Sequence, residues 1–159
     1  MKKFLIVLVI LMLCFGVVAC GSSSTTEEEV TYSVGDPLEY NGVTYTLLSV
    51  DTSAGDDWDE PAAGNEFVIV TVKIENNSGE KISYNSLDWQ MLNTDGQYAD
   101  EAWVILDSDT NLGSGELADA GTKEGTIVFE EPKDATGLKL CYYENILFDE
   151  EPSFEINLD

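Results

Sequence analysis

The stretch from Glu66 to Glu75 constrains the fold more than any other part of this chain. Its odd-numbered positions become polar from Thr71 onward, while its even-numbered positions are all apolar: Val68, Val70, Val72 and Ile74. Successive side chains of a β-strand point to opposite faces, so this period of two indicates a strand with one fully buried face. We predict that it is the central strand of a sheet.

Shorter stretches on both sides show strand patterns of the same kind. Residues 38–40 and 43–50 flank Asn41-Gly42, a dipeptide that tolerates the positive φ angles of a tight hairpin turn. Further apolar alternation or short apolar runs occur near residues 87–91, 103–106, 122–129, 138–142 and 153–159. No window of about 12 residues has a helical period. The chain is therefore predicted to be all-β, an antiparallel immunoglobulin-like β-sandwich of about seven to eight strands.

The first 20 residues have the parts of a secretory signal. A cationic start, Met1-Lys2-Lys3, precedes an apolar run from Phe4 to Val18, which is shorter than the roughly 20 apolar residues that span a bilayer. Val17-Val18-Ala19-Cys20 resembles the lipobox of bacterial lipoproteins. That resemblance implies cleavage after Ala19 and a lipid on the Cys20 thiol; the alternative is an ordinary signal whose cysteine lies there by chance.

These features divide the chain into three parts. Residues 1–19 are predicted to be a cleaved lipoprotein signal, residues 20–29 a lipidated cysteine with a flexible acidic tether, and residues 30–159 the β-sandwich. The tether reaches on the order of 16 Å. We expect the domain to be held by the lipid on Cys20 at the extracytoplasmic face of a bacterial, Gram-positive cell membrane.

Acidic residues dominate the composition. The chain has 31 acidic residues and no histidine, and without Lys2 and Lys3 five lysines remain, a formal side-chain charge of −26. Such a polyanion is repelled by phosphate backbones and by anionic lipid head groups. We therefore expect no nucleic-acid partner and a domain that stands off its membrane. The acidic excess serves solubility, or it attracts a cationic partner or loosely held divalent ions.

Several motifs resemble those of one family. They are Val34-Gly35-Asp36, Asn41-Gly42-Val43-Thr44-Tyr45-Thr46-Leu47, the central strand 66–76, Gly115-Glu116-Leu117, and Gly125-Thr126-Ile127-Val128-Phe129-Glu130-Glu131-Pro132. The family is domain of unknown function 4352, immunoglobulin-like domains of bacterial, mostly Gram-positive, lipoproteins. The resemblance covers about residues 30 to 159 and implies a sandwich without an agreed activity. Asp119-Ala120-Gly121 departs from the family's usual proline before the glycine.

The absence of histidine from the sequence removes most catalytic designs, because neither a Ser-His nor a Cys-His pair can form. We predict that the chain is not an enzyme but an extracytoplasmic binding module for an envelope protein or a wall component. A different class of function is a hydrolase of wall polysaccharide, which would need two carboxylates at a fixed separation in a cleft.

Asp107, Asp109 and Asn111 form the best candidate metal site. Oxygen ligands at alternate positions followed by a glycine are typical of the start of a calcium loop. Here Gly113 comes one position late, and Ala118 occupies the position of the usual bidentate glutamate. No cofactor is otherwise expected, and a calcium-binding sandwich is an alternative function.

Asp56, Asp57, Trp58 and Asp59 form a candidate ligand loop. A tryptophan among acids can stack on a sugar or a cationic group, and the alternative is that Trp58 folds over the edge of the core. Cys141 lies between Leu140 and Tyr142 and is predicted to be a packed, inert thiol. Asn76-Asn77-Ser78 fits the N-glycosylation triplet but is predicted to be a turn.

Overall fold

The structure is a computed structural model that describes residues 31–106 and 108–159. The predicted signal, the tether, Cys20 and Asp107 lie outside the described residues. Within them, no helix has the length and apolar character needed to cross a membrane.

Ten strands and one short 3-10 turn, Ser86–Asp88, make up the regular structure of the described residues. The strands are β1 (Pro37–Tyr40), β2 (Val43–Ser53), β3 (Asn65–Asn76), β4 (Ile82–Asn85), β5 (Trp89–Leu92), β6 (Tyr98–Ala99), β7 (Ser114–Leu117), β8 (Thr122–Pro132), β9 (Lys139–Tyr142) and β10 (Phe154–Asn157).

Two four-stranded antiparallel sheets enclose one core. The first has the strand order β1-β2-β3-β8, the second has the order β10-β9-β5-β6, and β4 and β7 form a separate pair. Apolar side chains of both four-stranded sheets belong to a single buried cluster, which includes Leu47, Val70, Phe129, Trp89 and Leu140. The predicted all-β, antiparallel β-sandwich is confirmed.

The hairpin and the central strand are also confirmed. Asn41 and Gly42 have φ angles of 51° and 77°, as a two-residue turn requires, and they join β1 to β2. A β-bulge between Leu47 and Ser49 shifts the phase of β2, so that Val50 packs against the core. β3 lies between β2 and β8, and its even-numbered side chains from residue 68 to 74 are buried.

The outer face of β3 explains why its odd positions change character along the strand. Phe67 and Ile69 on that face are buried, together with Val128 of β8, beneath Ala102, Val104 and Leu106. From Thr71 onward the same face is partly exposed to solvent. A covered half and an uncovered half of one face therefore produce the change from apolar to polar residues.

The structure has more strands than the seven to eight expected, and it differs from the prediction in two segments. The additional strands β4, β6 and β7 are short, and β4 and β7 have mixed burial, so their sequences carry no apolar stripe. β7 lies within residues 107–121, a stretch rich in aspartate and glycine in which no strand pattern was identified. Residues 103–106, whose apolar run resembled a strand, are not in a strand.

Candidate functional site

Trp58 lies on a tightly structured loop between β2 and β3. The Asp56 carboxylate accepts hydrogen bonds from the backbone amides of Trp58 and Asp59 at 2.8 and 2.9 Å. Gly55 precedes this turn with a φ angle of 82°, a conformation that favours glycine. The Trp58 side chain is 82% exposed, so the alternative that it folds over the core is wrong.

Asp59 joins this loop to a second one that lies 46 residues further along the chain. Its Oδ2 atom accepts hydrogen bonds from the backbone amides of Ile105 and Leu106, both at 2.6 Å. Hydrogen bonds to a carboxylate are among the stronger ones in proteins. This contact fixes the segment 102–106 beside the Trp58 loop.

The side chains of the segment 102–106 alternate between buried and exposed, although the segment is not a strand. Its even-numbered side chains pack on the outer face of the first sheet, and the amide of Ala102 donates to the carbonyl oxygen of Val128 at 2.7 Å. The odd-numbered side chains therefore face solvent, and Trp103 is 90% and Ile105 67% exposed. We call Trp58, Trp103 and Ile105 the tryptophan surface.

The acids of the predicted ligand loop have different roles. Asp56 is exposed, and the hydrogen bonds that its carboxylate accepts from two backbone amides hold the pKa of this carboxyl below the ordinary value. Asp56 and Asp59 shape the loop with their carboxylates, while Asp57 is exposed beside Trp58. Trp58 is therefore exposed among negatively charged side chains, and its role as a ligand contact stays a prediction.

The predicted metal site is only partly described, because Asp107 lies outside the described residues. Asp109 is exposed, while the Asn111 side-chain oxygen accepts from the Gly113 amide at 2.6 Å and the Asn111 Nδ2 atom donates to Glu101 Oε1 at 3.0 Å. Across residues 31–106 and 108–159, no three or more acidic, cysteine or histidine side chains come together as a metal site. Calcium binding stays a prediction, which a rise in melting temperature on calcium addition would test.

A second site was not predicted from the sequence. Tyr40, Tyr45, Trp89, Tyr142 and Phe154 come from five strands, and neighbouring rings in this group have centroids 4.9 to 5.9 Å apart. Alternation had indicated several of these positions as inward-facing, but their proximity depends on how the two sheets pack. Three of these residues, Tyr40, Tyr45 and Tyr142, line a cavity of about 510 Å³.

Three acidic residues line the same cavity. They are Glu80, Asp88 and Glu144, and desolvation raises the pKa of the Asp88 carboxyl to about 6. A raised carboxyl pKa is common where carboxylates do chemistry, yet it also arises from burial alone. The hydrolase alternative therefore stays a prediction, and a screen for cleavage of wall polysaccharides would test it.

Comparison with known proteins agrees with the predicted family. The model of a domain of unknown function, DUF4352, matches residues 32–153 and confirms the resemblance. A comparison with curated protein sequences finds no match.

Solved structures of several bacterial proteins share the fold, each with a TM-score of 0.62. The yjhA protein from Bacillus subtilis is 18% identical over 81% of this chain and 100% of its own. The presumed lipoprotein ycdA from Bacillus subtilis is 16% identical over 76% of this chain but only 38% of its own. The secreted protein MPT63 from Mycobacterium tuberculosis is 14% identical over 80% of this chain and 96% of its own. At these identities the similarity is one of fold.

Proposed function

Because the chain belongs to the DUF4352 family, a domain of unknown function, we propose a role from its surface: a non-enzymatic binding module at the extracytoplasmic face of a bacterial cell membrane. A lipid on Cys20 would anchor it, and residues 20–29 would hold the sandwich away from the bilayer. The lipobox resemblance supports the anchor. The similar folds of a presumed lipoprotein and a secreted protein are consistent with this location.

The tryptophan surface is the observation that carries the binding role. Trp58 and Trp103 are 82% and 90% exposed, although each would contribute about 2–3 kcal/mol if it were buried. The loops that carry them are held by the carboxylates of Asp56 and Asp59, so little flexibility is lost when a partner binds. Large, pre-positioned aromatic side chains are the residues that dominate binding energy at interfaces.

The charge around this surface limits the partner. Asp56, Asp57 and Glu60 are exposed beside Trp58, and the whole chain has a formal charge of −24. An anionic lipid surface would be repelled. The partner we propose is an envelope protein with a basic or neutral apolar surface, or a wall component whose sugar rings stack on the tryptophans.

Binding can be tested with variants of the tryptophan surface. The purified protein would be sedimented with isolated cell walls and, separately, used to capture proteins from solubilised envelopes. A double variant, Trp58→Ala with Trp103→Ala, should lose most of the binding. Leu147→Ala with Phe148→Ala is the matched control, because these side chains on the β9–β10 connection are 83% and 79% exposed.

Equal binding by both double variants, or no binding in either assay, would contradict the role of the tryptophan surface. The anchor is tested separately by mass spectrometry of the N-terminus of the protein from cell membranes. A mature chain that begins at Cys20 and carries a lipid is the expected result. An unmodified Cys20 behind an intact signal would disprove the anchor.

A further inference from the structure

The aromatic cavity is distinct from the tryptophan surface, because Trp58, Trp103 and Ile105 are not among the residues that line it. β2 begins at Val43 and ends at Ser53, so the turn at residues 41–42 and the Trp58 loop lie at opposite ends of this 11-residue strand. The cavity is at the turn end and has a volume of about 510 Å³. The residues that matter for its chemistry are Tyr40, Tyr45, Lys81, Asp88, Tyr142 and Glu144.

One wall of the cavity is a fixed aromatic surface. The rings of Tyr45 and Tyr142 have centroids 4.9 Å apart, and both pack against Trp89, which is only 1% exposed. Packing therefore holds the two rings in one arrangement before any ligand arrives.

Carboxylates supply negative charge beside this wall. Glu144 accepts hydrogen bonds from the Tyr40 hydroxyl at 3.0 Å and from the Asn41 side-chain amide at 3.4 Å, so its position is fixed. Asp88 also lines the cavity, and within the described part of the chain its carboxylate forms no ion pair or hydrogen bond.

Lys81 does not neutralise this charge. Its Nζ atom forms an ion pair with Glu116 at 2.6 Å, outside the group of residues that line the cavity. Glu80, which also lines the cavity, adds a further acid. The cavity lining therefore combines packed aromatic rings with an excess of negative charge, three acids against one lysine.

This combination suits one class of ligand. Aromatic faces attract cations through the ring quadrupole, and desolvated carboxylates add Coulomb attraction. A divalent metal fits less well, because the acids among residues 31–106 and 108–159 are not grouped as metal ligands. We propose that the cavity binds a compact organic ammonium group, a primary or quaternary amine, between the Tyr45–Tyr142 wall and the carboxylates of Asp88 and Glu144.

The site requires an ionised Asp88. The titratable groups that line the cavity with it are Tyr40 on β1, Tyr45 on β2, Glu80 and Lys81 before β4, Tyr142 at the end of β9, and Glu144 two residues later. Burial raises the pKa of the Asp88 carboxyl to about 6, so affinity for the ammonium group should fall as the pH decreases through this value. This pH dependence separates the cavity from binding by the tryptophan surface, which has no such carboxyl.

The proposal goes beyond the binding role above, because it concerns a different surface. Backbone amide chemical shifts would be followed by NMR while the protein is titrated with n-butylammonium and with tetramethylammonium at neutral pH and constant ionic strength. Tert-butanol and glucose serve as neutral probes. Saturable shifts around Asp88, Tyr142 and Glu144 with the two cations alone are the expected result.

Two variants with the same loss of charge sharpen the test. Asp88→Asn should weaken ammonium binding about tenfold, equivalent to about 1.4 kcal/mol. Asp95→Asn, in the exposed turn after β5, should leave it unchanged. Asp88→Asn removes a desolvated charge and is expected to fold, which a thermal melt would check.

Three results would overturn the proposal: no saturable binding of either cation, equal binding of the neutral probes, or equal weakening by the two variants. The last result would mean that only the overall negative charge attracts the probes. The Trp58→Ala and Trp103→Ala double variant should bind the cations normally, so failure of this site and failure of the tryptophan surface are distinguishable.

Discussion

Asn76 donates its side-chain amide to the carbonyl oxygen of Leu117, 41 residues later in the chain, at 3.1 Å. The same amide also donates to the carbonyl oxygens of Glu80 and Ala118, at 2.7 and 3.0 Å, and the side-chain oxygen accepts from the backbone amide and hydroxyl of Ser78. One buried side chain thus ties the end of β3 to the end of β7. Its complete burial also makes it inaccessible to glycosylation in the folded domain.

Replacing Asn76 should be among the most destabilising polar changes in the domain. Asn76→Ala would remove the donor to the carbonyl oxygens of Glu80, Leu117 and Ala118 and empty a fully buried site, and we expect a loss of roughly 2–4 kcal/mol in the free energy of unfolding. Asn77→Ala, at the adjacent exposed position, should change stability by less than about 0.5 kcal/mol. Urea denaturation measures both, and similar stabilities would contradict the role assigned to Asn76.

The contact between Asp59 and the segment 102–106 should control local mobility. Asp59→Ala removes the acceptor of two backbone amides, so the amide hydrogens of Ile105 and Leu106 should exchange with solvent at least about tenfold faster. The same variant should also weaken partner binding by the tryptophan surface. Asp57→Ala is the control with the same loss of charge. Unchanged exchange in Asp59→Ala would show that the carboxylate does not hold the segment.

The acid Glu131 should make stability depend on pH. It is 1% exposed, its Oε1 atom finds no hydrogen-bond partner among the described residues, and burial raises the pKa of its carboxyl above the ordinary value of 4.5. When the pKa of a carboxyl is higher in the folded than in the unfolded protein, the protonated carboxyl stabilises the fold at low pH. This stabilisation is lost as the pH rises through the folded-state pKa.

Glu131→Gln should therefore be more stable than the unchanged protein at neutral pH, with a difference that shrinks as the pH falls towards 4.5. The exposed Glu124 lies on the same strand and provides the control Glu124→Gln. Thermal melts across this pH range measure the effect. A constant difference between the Glu131 variant and the unchanged protein would mean that the carboxyl titrates normally.

Cys141 should be chemically silent in the folded protein. Its side chain is completely buried, and burial raises the pKa of the thiol to about 12, so very little thiolate exists at neutral pH. We expect no alkylation of Cys141 by iodoacetamide in the native protein and full alkylation in denaturant, measured by peptide mass spectrometry. Rapid native alkylation would show that the strand β9 opens readily.

The central part of the fold was predictable because its information is local. In β3 and in the β1–β2 hairpin, neighbouring residues carry both the strand period and the turn geometry, and the structure agrees at Val68 to Ile74 and at Asn41-Gly42. β4 and β7 were missed because they pair only with each other and have no fully buried face. The segment 103–106 was mistaken for a strand because all four of its residues are apolar, although it packs on a sheet that it does not join.

The sequence by itself determined the fold class, the family and the loop that contains Trp58, because periodicity, turn residues and local motifs are properties of neighbouring residues. Only the tertiary structure decided which distant residues form surfaces. The segment that carries Trp103 and Ile105 is joined to the Trp58 loop because Asp59 accepts hydrogen bonds from amides 46 and 47 residues away. Tyr45, Asp88 and Tyr142 line one cavity because two sheets pack face to face. Such contacts depend on long-range packing, which leaves no periodic pattern in the chain.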